Sequence, residues 1–431
     1  MAGNGEPIGR VVQAAIYRAG ALGRRPVVPV TPERLEQAAR RRMSARAWAY
    51  VAGSAGGQAT ARANRAAFDR WGIVPRMLRD VAARDTTTEL FGARLPAPVL
   101  LAPVGVLEMA HPEADLAVAR AAAALGLPMI LSTQASRPME AVAAALGAGP
   151  RWFQLYWSRA PDLVASFLAR AEAIGSTALV VTLDTPLLGW RPWDLDRAYL
   201  PFAEGRGIAQ YTSDPVFAGL VRERLRGRAG APAAPGPRPT LGALRTLLAL
   251  ARSHPGGMWA NLRAPEPRAA VETFLDVFAN PSLTWDDLAS LRALTRLPVV
   301  LKGIQDPDDA RRALACGVDG IVVSNHGGRQ VDGAVGSLDA LPGVVAAIAG
   351  RVPVLFDSGI RGGADVFKAL ALGARAVLVA RPYVYGLALA GSDGVAAVLR
   401  HLLAEFDLTM GLSGCASLAE ITPDRLRPVA G

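Results

Sequence analysis

Short apolar runs recur along the chain, separated by stretches in which apolar residues fall at helical spacing. Eight of the runs are rich in Val, Leu and Ile and too short for helices: Pro98–Ala102, Met129–Ser132, Trp152–Tyr156, Leu179–Leu183, Val299–Lys302, Gly320–Ser324, Pro353–Phe356 and Ala376–Val379. Continuous apolar runs of this length read as parallel strands buried on both faces. Amphipathic helices are predicted between them, at Ala114–Leu125, Pro138–Leu146, Pro161–Ile174, Asp286–Leu294, Asp308–Ala315, Leu338–Ala349 and Gly363–Leu372. Regular strand–helix alternation predicts an α/β fold with a parallel sheet and right-handed crossovers. Eight repeats predict closure into a (β/α)8 TIM barrel.

The alternation breaks once, between the fourth and fifth strands. Residues 190–285 hold Trp190, Trp193, Tyr199 and Phe202, followed by the low-complexity stretch Gly227–Pro239. A segment this long inside a compact domain is either functional or unordered. It leaves the C-terminal end of a barrel strand, so it is expected to form a lid over the active-site face, loosest at 227–239. Residues 1–30 read as a flexible N-terminal arm. Residues 31–80 are expected to form helices packed on the barrel before its first strand, making 31–431 a single domain.

Composition narrows the function classes. Half of the 431 residues are hydrophobic, enough for a large core, yet no run of eighteen apolar residues predicts a membrane-spanning helix. Arg10 and Arg18 interrupt the only apolar stretch near the N-terminus, so the expectation is a cytoplasmic protein with no stable membrane insertion. Two cysteines, Cys316 and Cys415, suit reduced thiols. The net charge of +10 comes from arginines scattered along the chain without interleaved aromatics, which argues against nucleic acid and for small anions. Of the 47 basic side chains only Lys302 and Lys368 are lysine. A lysine kept in such a chain marks a place that wants a compact ammonium. Lys368 lies mid-helix and reads as structural.

Reactive groups of such a barrel come from the C-terminal ends of its strands. Those ends carry Gly105, Ser132, Gln154 and Tyr156, Thr182 and Asp184, Lys302, Ser324-Asn325-His326, Asp357-Ser358-Gly359, and Arg381. Packing alone would favour branched aliphatics there. His326 lies in SNHGGRQVDG with Arg329 three residues on. A base beside a guanidinium that can grip a carboxylate suits proton removal next to that carboxylate. Asp184 can orient the imidazole. FDSGIRGGAD and VARP, after strands seven and eight, form a phosphate-site candidate with Arg361 and Arg381. His111, His254 and His401 show no metal-ligand spacing.

With SNHGGRQVDG, FQLYW and TLDTP placed on these strands, the chain from about Thr31 to Arg425 resembles the FMN-dependent L-2-hydroxy acid oxidase and dehydrogenase family. That family includes glycolate oxidase and lactate oxidase. APVGV, RWFQLYWSR, TLDTPLLGWRPWDLDRAYLPF and GIAQYTSDPVF resemble its lactate 2-monooxygenase branch. The resemblance implies FMN as cofactor, a small 2-hydroxy acid and oxygen as partners, and a homotetramer or homo-octamer. It implies His326 as base with Asp184 as its partner, Arg329 and Tyr50 on the substrate carboxylate, Tyr156 on the hydroxyl side and Arg191 beside the pair. Lys302 would face the flavin, and Ser132, Gln154, Thr182 and Ser324 its polar edge. Asp357 would meet the ribityl chain, while Gly359, Arg361 and Arg381 would hold the phosphate.

Three positions depart from the usual family pattern. Ala380 stands where Gly is usual, and Gln134 lies near the substrate side chain, leaving its identity open. Gly105, where many oxidases have Ala, is expected to leave room beside the flavin. The expected reaction is oxidation to the 2-oxo acid with oxygen as acceptor, followed by decarboxylation of retained product. The alternatives are peroxide release after oxidation of a larger 2-hydroxy acid, a dehydrogenase feeding a quinone or carrier, and a flavin-binding barrel without turnover.

Overall fold

A computed structural model describes residues 7–228 and 240–429. The barrel strands are Val99–Leu101, Met129–Leu131, Arg151–Leu155, Leu179–Thr182, Val299–Ile304, Gly320–Val323, Val354–Phe356 and Ala376–Val379. They pair in chain order, all parallel, and the eighth closes on the first with Val377 opposite Val99 and Val379 opposite Leu101. The closed (β/α)8 barrel is the predicted one.

Alternation along each strand divides its side chains between two cores. Leu100, Ile130, Trp152, Val180, Val300, Val322, Leu355 and Leu378, one from each strand, meet in the barrel interior and are all but inaccessible. A hairpin, Thr88–Leu90 with Ala93–Leu95, adds Leu90 and Leu95 and closes the N-terminal end. Residues of the other parity, among them Leu101, Phe153, Val181, Leu301 and Phe356, pack outward against the helices. Burying each such side chain is worth roughly 1.5–3 kcal/mol, so the two apolar faces together drive closure.

The insertion after the fourth strand is largely helical among its described residues, with helices at Pro192–Leu195, Pro215–Arg228, Leu241–Ser253, Met258–Asn261 and Glu266–Val277. Tyr211 packs edge-on against Phe167, Phe217 and Phe274, which gives the insertion an aromatic core continuous with the barrel helices. Only Phe217 and Val221 of Pro215–Arg228 are buried, a stripe too thin to read from sequence. Of the stretch expected to be loosest, 229–239 lies outside the described residues.

The N-terminal arm departs from expectation, because Ile8–Ala21 is a helix packed on the last helix, Arg381–Leu412. Gly9 permits the approach: a Cβ there would lie 2.6 Å from Leu408 Cγ, while its N–H donates to Asp407 Oδ2 at 2.9 Å. Helices Pro32–Arg42, Ala45–Ala52 and Ala59–Asp69 follow, and Trp71–Ile73 pairs antiparallel with Leu426–Pro428. Arg381–Leu412 has the length and apolarity to cross a membrane, but it is mostly buried and is broken at Ala390 and Gly391. Its place is in the core, beside Ala114–Leu125 and Gly363–Ala371.

Asp407 also accepts from Arg84 Nε and Nη2 at 2.8 and 2.7 Å. Removing a carboxylate from a buried pair strands the cation. Asp407→Ala is therefore expected to cost about 3 kcal/mol, read as a lowered Tm, and to expose the first helix to trypsin at Arg10 and Arg18.

Candidate active site

Two residues beyond each inward apolar position, the same parity points Ala102, Ser132, Gln154, Thr182, Lys302, Ser324, Asp357 and Ala380 toward the barrel axis. The apolar interior thus ends in a layer that is polar in six of its eight members, and those six are buried. Lys302 Nζ lies 2.9 Å from Asp357 Oδ2 and donates to Ser324 Oγ at 2.7 Å. Burial works against the ammonium, but Asp357 and Asp184 outweigh it and hold its pKa above the ordinary value. Lys302 is therefore a fixed positive charge. The fifth strand slips register just beyond it, where Gly303 (φ +111°) seats its backbone against Asp184. A Cβ at Gly303 would come within 2.9 Å of Asp184 Cβ.

His326 opens a tight turn after the sixth strand, at φ +57°. Its N–H donates to Ser324 Oγ at 3.1 Å, and its Nδ1 lies 2.7 Å from Asp184 Oδ1. A carboxylate on Nδ1 fixes the ring and leaves Nε2 as the base. Burial depresses the His326 pKa more than Asp184 raises it, with Lys302 and Arg191 adding to the fall. Asp184 lies below the ordinary carboxylate range: burial opposes ionisation, but His326 and Lys302 overcome it. The resting pair is a neutral imidazole on a carboxylate. Gly327 and Gly328, both at positive φ, pass close to Arg381 and to the backbone of Ala61, where side chains would collide.

Two arginines draw the N-terminal segment into the site. Arg329 Nη1 donates to the carbonyls of Tyr50 and Gly53 at 2.6 and 2.8 Å. Arg381 donates to those of Val51, Gly53 and Gly327. Most of these carbonyls are unpaired acceptors at the C-terminal end of Ala45–Ala52, where positive charge is favourable. The clamp sets Tyr50 under the Arg329 guanidinium, 5.2 Å from ring centre to Cζ. Burial is the largest influence on Arg191 and Arg381 and brings both down to about 10, so both remain cations at neutral pH.

A cavity of about 1160 Å³, partly open to solvent, collects most of the sequence-predicted residues. Tyr50, Gly105, Gln134, Tyr156, Thr182, Arg191, Lys302, His326, Arg329, Asp357, Gly359, Arg361 and Arg381 line it. Ser132, Gln154, Asp184 and Ser324 stand one layer behind and fix the lining. Gln154 Oε1, for example, accepts from Thr133 N and Ser132 Oγ.

The protein-family model described as FMN-dependent dehydrogenase matches residues 39–428. The chain belongs to this family. It is 42% identical to an FMN-dependent alpha-hydroxy acid dehydrogenase of Penicillium citrinum over 426 residues, 97% of this chain and 96% of that protein. It is 40% identical to an L-lactate oxidase of Lysinibacillus sphaericus, covering 90% of each. Among solved structures, a crystal structure of mandelate oxidase superposes with a TM-score of 0.74 at 37% identity, over 94% of this chain and 99% of that one.

FMN is accordingly the cofactor of this FMN-dependent dehydrogenase family member, and the cavity suits it. Among the described residues Gln154 Nε2 and Thr182 Oγ1 are buried without protein partners, in the same strand-end layer as Lys302, a donor set for the polar edge of a flavin. Two expectations change on inspection. Gly105 does not open a space: a Cβ there would meet Gln134 Cβ at 2.9 Å and its carbonyl at 3.0 Å. That glycine reflects close backbone approach. At the expected phosphate end, the N–H groups of Arg361 and Gly362 already donate to Asp365 Oδ2. The side chains of Arg361 and Arg381, with Gly359 (φ +106°), are what that end offers a phosphate.

Three supporting contacts were given no role by the sequence, although Asn325 and Ser358 stood among its polar strand ends. Asn64 and Asn325 exchange amide hydrogen bonds of 2.8 and 2.7 Å between the N-terminal helices and the His326 loop. Ser358, at φ +82°, accepts from Gly327 N and donates to Asp357. Gln330 accepts from Arg191 Nη2 and donates to the carbonyls of Asp184 and Leu187. Its only sequence signal was membership of SNHGGRQVDG. Gln330→Ala is expected to lower kcat/KM about tenfold by loosening Arg191 and Asp184 together, with flavin content unchanged by absorbance.

Proposed function

We propose that the chain oxidises a small L-2-hydroxy acid to the 2-oxo acid, with dioxygen as final electron acceptor. The observation that carries this reading is His326, held from behind by Asp184 at 2.7 Å, in one cavity with Arg329, Arg191, Tyr50 and Tyr156. Arg329 and Tyr50 hold the substrate carboxylate, and Arg191 adds charge beside it. Tyr156, whose pKa burial pushes far up, stays protonated and donates to the substrate oxygen. His326 Nε2 takes a proton from the substrate as it gives up two electrons, and Asp184 stabilises the imidazolium that forms. FMN, when bound, supplies the two-electron sink. Lys302 places a permanent positive charge where the reduced cofactor needs one.

Retention of the 2-oxo acid under the insertion would let the peroxide formed from dioxygen oxidise it to the shorter acid, carbon dioxide and water, the lactate 2-monooxygenase outcome. The motifs TLDTPLLGWRPWDLDRAYLPF and GIAQYTSDPVF support this extension. A second reading, transfer to a carrier in place of dioxygen, draws on two relatives described as dehydrogenases, at 42% and 41% identity. Purified protein supplied with L-lactate and related acids under air separates the three. Carbon dioxide with the shortened acid supports decarboxylation, peroxide with the 2-oxo acid supports release, and flavin that stays reduced under air supports a carrier.

The pH dependence follows from the depressed His326 pKa. Its neutral form is the active one, so the acid limb of kcat/KM should lie below pH 6.5, the ordinary value. Asp184→Asn removes the group that raises that pKa, so the limb should move lower still while kcat falls on the order of a hundredfold. His326→Ala should keep its flavin yet slow anaerobic bleaching by roughly 10²- to 10⁴-fold. Fast bleaching in that variant would remove His326 from the mechanism.

A further inference from the structure

A second cavity, of about 1110 Å³, lies against the first on the side of the fourth and fifth strands. The two share Tyr156, Thr182, Thr185 and Phe278 as walls, so they meet at the catalytic residues. The outer end of the second cavity carries Thr284 and Asp309, both exposed, so it reaches solvent away from the arginine-lined mouth of the first. The rest of the wall mixes apolar Trp157, Pro186, Leu283, Trp285 and Leu288 with the polar Asp184, Asn280 and Asp309. Among the described residues no arginine or lysine lines it, in contrast to the five that line the catalytic cavity.

We propose that this second cavity is the passage by which dioxygen reaches the reactive centre. The inference rests on the reading that dioxygen is the acceptor. A carboxylate entering between these indole and leucine side chains would lose its hydration without gaining a cation, which is costly. Dioxygen carries no charge and has little hydration to lose, so neither the apolar side chains nor the carboxylates of that wall oppose its passage. The consequence is a division of traffic. The hydroxy acid enters past Arg191 and Arg329, while dioxygen arrives beside Tyr156 and Phe278. A separate route matters most when organic product still fills the catalytic cavity, as oxidative decarboxylation requires.

Leu283 and Ala279 line the second cavity from the loop that follows Glu266–Val277, and neither lines the catalytic cavity. Leu283→Trp and Ala279→Phe should fill it. Flavin reduced chemically with dithionite, with pyruvate occupying the catalytic cavity, would be mixed with oxygenated buffer. Reoxidation is expected to slow about tenfold in the filled variants, with anaerobic reduction by hydroxy acid unchanged. Leu283→Ala, which widens the cavity, should not slow it. Equal reoxidation rates in filled variants and parent would overturn the passage. Wild-type crystals pressurised with xenon supply a readout free of turnover: xenon beside Leu283 and Trp285 supports the passage, and xenon confined to the catalytic cavity overturns it. Because reduction is chemical, failure of every hydroxy acid to bleach the flavin would sink the substrate reading while the oxygen result still stood. Wild-type flavin that air does not reoxidise would sink the passage.

Discussion

Closure of eight parallel strands obliges every second residue of each strand to point at the barrel axis, and the site is built on that constraint. An apolar residue at the inward position is followed two residues later by the group that serves the cavity: Val180 by Thr182, Val300 by Lys302, Leu355 by Asp357. A one-residue slip would turn Lys302 off the barrel axis and away from Asp357. The apolar floor and the polar layer above it are therefore one pattern. The floor's packing holds the polar atoms in place, and the dry surroundings give the Lys302–Asp357 pair its strength.

The remainder of the site hangs from that layer by hydrogen bonds between distant segments. Ser324 receives the Lys302 ammonium and the His326 N–H, linking flavin-side charge to the base. Gln330 ties the Asp184 loop to Arg191. Arg329 and Arg381 satisfy carbonyls at the end of Ala45–Ala52 and so bring Tyr50 to a cavity otherwise walled by barrel strand ends, the insertion and the last helix. The same guanidiniums that would bind anionic groups also assemble the wall. Their charge is thus used twice, once for folding and once for recognition.

What could be read in advance depended on how local the signal was. Buried parallel strands leave continuous apolar runs, so all eight were legible to within a residue or two at most ends. The polar groups at their ends were legible because packing gives no reason for Lys302 or Asp357 there. The insertion's helices were not, since Pro215–Arg228 buries only Phe217 and Val221 and packs chiefly on Glu266–Val277, some fifty residues later. The helix Ile8–Ala21 was missed for the same reason: Asp407, which anchors it, lies almost four hundred residues away.

By itself, the sequence determined the barrel, its polar strand ends and the residue types available to a flavin and a carboxylate, because strand periodicity is a property of neighbouring residues. Tertiary structure alone decided which of those groups are free. It showed that Gly105 serves Gln134 and that Asp365 already occupies two N–H groups near the expected phosphate end. It also brought Asn64 to Asn325 and set a second cavity, with no cation among its described walls, beside Tyr156. Each of these rests on contacts between segments far apart in the chain, whose geometry no local pattern encodes.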